Sequence, residues 1–87
     1  MFGQITELQI NREVKVVADL DGVMVGIEFL VFGEPDVGPI KLSRAEAIRV
    51  GGDLVKNHSS DRIPQIHFKA ADAATFGTWL MRFAANE

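Results

Sequence analysis

The chain contains no cysteine, which rules out a disulfide framework and a thiolate metal site. It also points away from the oxidising compartments, where a domain this small commonly leans on disulfides. Long apolar runs are missing as well: no stretch approaches the roughly 18 uninterrupted apolar residues of a membrane-spanning helix. The opening segment "MFGQITELQI" carries neither a basic leader nor an extended apolar run. Neither secretion nor membrane insertion is expected, and a cytoplasmic location follows. Charge of one sign is scarce: 9 basic and 12 acidic residues are interspersed for a formal net charge of −3. That leaves no field to draw in a polyanion and no acidic tail.

What is present is apolar for its size. At 87 residues, 47% hydrophobic and 24% charged, the chain makes a single domain over residues 1–87. A domain of this length buries only about two-thirds of the surface its unfolded chain exposes. Some apolar surface is therefore expected to meet another chain.

The first half reads as β-structure. In "EVKVVADLDGVMVGIEFLVF" the pair Asp21-Gly22 sits between two runs rich in β-branched residues, a strong hairpin signal. A type I′ turn on those two residues pairs Leu20 with Val23, Ala18 with Val25, Val16 with Ile27 and Val14 with Phe29 on one core face, and sets Lys15 opposite Glu28 on the other. That second face also carries Val17, Met24 and Leu30, so it is half apolar. Upstream, Thr6, Leu8 and Ile10 fall in phase with the core face if Asn11, Arg12 and Glu13 make a three-residue turn.

The second half contains an imperfect repeat at an offset of 26 residues, with "VGPIKLSRAEAIRVGGDLVK" lying over "IPQIHFKAADAATFGTWLMR". Leu42 aligns with Phe68, Glu46 with Asp72, Ala47 with Ala73, Gly51 with Gly77 and Leu54 with Leu80. Each copy reads as strand, turn and helix. Ser43 and Glu46 form an S-x-x-E capping box, which starts the first helix at Arg44. At about 100° per residue, Ala47, Ile48, Val50, Gly51, Leu54 and Val55 share a buried face, and Glu46, Arg49, Asp53 and Lys56 share the opposite one at ion-pair spacing. Glycine inside a helix costs roughly 1 kcal/mol relative to alanine. Gly51 and Gly77 are therefore expected where two backbones, or a backbone and a bulky sheet residue such as Phe29, come close. Gly52, at the edge of the buried face, is left over for contact with a second subunit. The solvent side of the second helix, Ala74, Thr75, Thr78, Met81, Arg82 and Ala85, holds one charge and reads as an interface centred on Met81 with Trp79 at its rim.

Catalytic signals are weak. His58, Ser59, Ser60 and Asp61 have the residue types of a nucleophilic triad, but neighbours in one polar loop cannot converge on a dry pocket, and they suit a helix-ending turn. His58, Asp61 and His67 match no metal-ligand spacing. Glu34 and Asp36 in "FGEPDVGP" sit among glycine and proline and read as a surface turn over residues 32–39. A nucleic-acid patch from Arg44, Arg49, Lys56, Arg62, Lys69 and Arg82 is opposed by interleaved acids and by aromatics on core periodicity. No cofactor, metal or catalytic residue is assigned. The segment "IKLSRAEAIRVGGDLV" resembles pieces of many small bacterial and phage proteins, a likeness that transfers no functional residue.

The fold expected is α+β, an antiparallel meander followed by two strand-helix units (βββ-βα-βα) in one sheet with both helices on one face. Strands are placed near residues 3–10, 13–20, 23–32, 37–42 and 62–68, and helices at 44–57 and 71–85. The strands at 37–42 and 62–68 are joined by a right-handed crossover. The leading functional expectation is a non-catalytic protein-interaction module, acting as a homodimer through Ala74, Thr78, Trp79, Met81, Ala85 and Gly52. The alternatives are a small-ligand binder or enzyme with a pocket between the open sheet face and the 32–39 loop, and a nucleic-acid binder.

Overall fold

The computed structural model describes residues 4–63 and 69–85. Four strands, β1 (Gln4–Gln9), β2 (Val14–Asp21), β3 (Met24–Val31) and β4 (Glu34–Ser43), are followed by α1 (Arg44–Asn57) and α2 (Ala70–Ala85). The strands form one antiparallel sheet in the order β1-β2-β3-β4, so the α+β class and the meander are observed. Arg62 and Ile63 of the anticipated strand 62–68 stand in a turn where the Ile63 N–H donates to the Ser60 carbonyl at 3.2 Å. The rest of that strand, its crossover and His67 lie outside the described residues.

The β1–β2 turn has the expected three-residue span. Ile10 N–H donates to Val14 O at 2.9 Å, and Asn11 Oδ1 accepts from the N–H groups of Glu13 and Val14 at 2.8 and 2.9 Å. This side-chain mimic of a turn is what asparagine offers.

The β2–β3 hairpin corrects the expected register. Asp21 pairs with Met24, leaving Gly22 and Val23 as the turn, with φ +63° at Gly22 and no positive φ at Val23, the pattern of a type II′ turn. Moving the turn by one residue moves every pair by two: Leu20 now faces Val25, Ala18 faces Ile27 and Val16 faces Phe29. Since side chains alternate with period two, both registers bury the same residues except Val23, which is 74% exposed at the tip. Lys15 lies opposite Leu30, and its ion pair is with Glu7 on β1 at 3.2 Å.

The segment 32–39 is likewise not a loop. The turn is confined to Phe32 and Gly33, at φ +53° and +81°, and Glu34 already pairs with Val31. Two register irregularities follow, between Ile27 and Phe29 and between Phe29 and Leu30 of β3. Proline and glycine, which read as turn signals, here sit in a bulged strand that has no described partner on its other side, a place that tolerates a missing N–H.

Both helices cover one sheet face. The α1 boundaries are as anticipated, and the capping box is complete: Ser43 Oγ accepts from Glu46 N–H, and Glu46 Oε1 accepts from Ser43 N–H. In α2 the Asp72 carboxylate accepts from Lys69 N–H, so the repeat offset reproduces the first-turn carboxylate. The Arg44 N–H bonds to Val23 O at one end of the sheet, while Asp72 accepts from Asn11 Nδ2 at the other. The helices therefore run antiparallel. Between helices and sheet, Val16, Ala18, Val25, Ile27, Phe29 and Leu42 meet Ala47, Val50, Leu54, Ala73, Phe76 and Leu80, all buried. Phe29 and Phe76 pack edge to face at 5.4 Å.

Candidate interaction surface

The seam between α1 and α2 begins at two glycines. A Cβ added at Gly51 would lie 2.7 Å from the carbonyl oxygen of Gly77, and one added at Gly77 would lie 2.6 Å from the carbonyl oxygen of Gly51. The contact is reciprocal and backbone to backbone, closer than any side chain permits. Of the two approaches expected for these residues, helix to helix is the one observed. Gly52 has nothing within 4 Å of a would-be Cβ, so packing within the chain does not account for it.

The outward side of this seam is apolar. A Cβ at Gly51 would meet Met81 Cγ at 2.5 Å, and one at Gly77 would meet Val55 Cγ2 at 3.0 Å, so Met81 and Val55 line the junction. Val55 and Ile48, expected in the core, are 38% and 40% exposed. With α2 packed against the Gly51 side, the buried face of α1 narrows to Ala47, Val50, Gly51 and Leu54. The strip that results joins Ile48, Gly52 and Val55 of α1, spaced i, i+4 and i+7, to Ala74, Thr78, Met81 and Ala85 of α2, spaced i, i+4, i+7 and i+11. Ala74, Gly52 and Met81 are half-buried, while Thr78 and Ala85 are exposed.

Trp79 lies across α2 from Met81. Two positions from Met81, it points to the far flank of α2, where it stacks on Phe83 at 5.6 Å and lies 6.1 Å from Phe76. Half-buried against the core, it closes the edge of the helix layer. A shallow depression lined by Ala74, Thr75, Thr78, Trp79 and Arg82 crosses the outer side of α2. Sequence reasoning missed Ile48 and Val55 because helical periodicity cannot tell a sheet-facing position from one a neighbouring helix pushes to the rim.

The remaining candidates resolve into local structure. His58 caps the C-terminus of α1 at φ +63°, its N–H donating to Leu54 O at 3.0 Å, and Ser60 Oγ accepts from Arg62 N–H at 3.3 Å. This is a helix-ending turn. Glu34 lies at the start of β4, so the loop that would wall a ligand pocket is a strand. Among the described residues no group of three His, Asp or Glu side chains is placed to hold a metal ion, and no helix is long and apolar enough to cross a membrane. The other sheet face, with Val17 and Leu30 half-buried beside Lys15, Asp19 and Glu28, carries no helix among the described residues. The chain matches no protein-family model, no curated protein and no solved structure, so this surface is read on its own geometry.

Proposed function

We propose that this protein is a small, non-catalytic protein-interaction module whose binding surface is the outward seam of the α1–α2 pair. The observation that carries the reading is the grouping of Ile48, Val55 and Met81 along a seam where α1 and α2 meet backbone to backbone at Gly51 and Gly77. Large apolar side chains grouped on an uncharged strip suit a partner's apolar side chains better than water. A homodimer is one way to cover the strip, and sedimentation velocity at tens of micromolar, on the order of a weak dimer's dissociation constant, measures it directly.

Affinity capture from the cells that make the protein tests the reading, comparing wild type with Ala74→Glu and Met81→Lys. Both substitutions place a charge on the strip, and circular dichroism checks that each variant keeps the wild-type fold. Partners held by wild type and lost by both variants support the module. Partners held equally by all three contradict it.

A further inference from the structure

We infer that the occupant of the seam is an acidic amphipathic helix of another protein, an inference that rests on reading the seam as a binding surface. The strip is bordered by cations on both helices. Arg49 and Lys56, three residues before and four after Gly52, are exposed on α1, and Arg82, four residues after Thr78, is exposed on α2. None of the three makes an ion pair or a side-chain hydrogen bond among the described residues. The helix carboxylates are mostly engaged elsewhere: Glu46 by Ser43 N–H and Arg62, Asp72 by Lys69 N–H and Asn11. Among the described residues, Asp53, half-buried on the ridge between Arg49 and Lys56, is the one helix carboxylate without a hydrogen-bond or ion-pair partner near this border, against three cations.

On a chain of net charge −3, the seam is thus apolar at its centre and positive at its edge. A second copy laid face to face would bring like-charged borders together, three cations to one carboxylate on each among the described residues, an arrangement that works against pairing. A helix with apolar residues at i, i+3 or i+4 and i+7, and Asp or Glu beside them, meets both the strip and its border. The open space over Gly52, beside Ile48 and Val55 on α1, lets such a helix lay its apolar side against the strip. Nucleic acid fits less well, because Trp79, which shares a depression with Ala74 and Thr78, is already stacked on Phe83.

The test is selection of phage-displayed helical peptides of about four turns against the wild-type protein, with Met81→Lys and the double variant Arg49→Glu/Arg82→Glu as counter-targets of verified fold. The expected winners carry Asp or Glu beside apolar residues at i, i+3 or i+4 and i+7. They should fail to bind Met81→Lys and bind the charge-reversed variant about tenfold or more weakly. Neutral or basic winners that still need Met81 would overturn the acidic partner and leave the seam standing. No enrichment over Met81→Lys would overturn both. A wild-type dimer that Met81→Lys dissociates would make a second copy the occupant, and retention on heparin or anionic vesicles lost on charge reversal would make it a polyanion or a lipid surface; either result overturns the inference.

Discussion

Phe32 is the residue whose backbone and side chain are both out of keeping with its type. It occupies the left-handed region at φ +53°, where a bulky side chain crowds its own backbone, and it is 74% exposed. Its N–H donates to Glu13 O at 2.7 Å, which ties the two turns at that end of the sheet together and holds the conformation. The following Gly33, at φ +81°, completes the pair of positive dihedrals for which Asn-Gly is the favoured sequence. Phe32→Asn should therefore raise stability by about 1 kcal/mol, read as a higher urea midpoint with unchanged slope. A lower midpoint would mean that the exposed ring makes contacts worth more than the strain. This turn was not legible in the sequence because phenylalanine is not a turn residue, while the Pro and Gly just after it are. The three-residue turn at Asn11 was legible because asparagine carries its own turn-forming acceptor.

At the scale of elements, α1 was legible residue by residue because its start is written in side chains. Ser43 and Glu46 answer two backbone N–H groups that would otherwise lack partners, and the chain's own alternation then stops. Ser43→Ala removes one of those acceptors and should cost about 1 kcal/mol, measured by equilibrium unfolding; no loss would mean that water serves the Glu46 N–H equally well. The β2–β3 hairpin shows the limit of the same kind of reading. A two-residue slip leaves every buried side chain but Val23 on its face, so the hydrophobic pattern is silent about it, and only the turn dihedrals decide. The α1–α2 contact was legible as a pair of glycines at matching repeat positions. Its rim was not: which flank of α1 meets α2 decides whether Ile48 and Val55 are core or surface, and helical periodicity does not carry that choice.

For the molecule as a whole, one sheet face is covered by two helices and the seam between those helices faces outward. The glycines in "RVGGDLV" divide between the two sides of that arrangement. Gly51, with Gly77, serves the interior, closing the helix layer by backbone contact, while Gly52 opens onto the strip assigned to a partner. Equilibrium urea unfolding of Gly51→Ala, Gly77→Ala and Gly52→Ala separates the two roles, because alanine's helix preference favours all three substitutions and only packing can oppose it. Gly51→Ala and Gly77→Ala force a methyl group against a backbone carbonyl and should each lose about 1–3 kcal/mol. Gly52→Ala meets nothing and should gain about 0.5–1 kcal/mol. If all three variants shift stability in the same direction, the close contact of the helix pair, and with it the outward strip built on it, is contradicted.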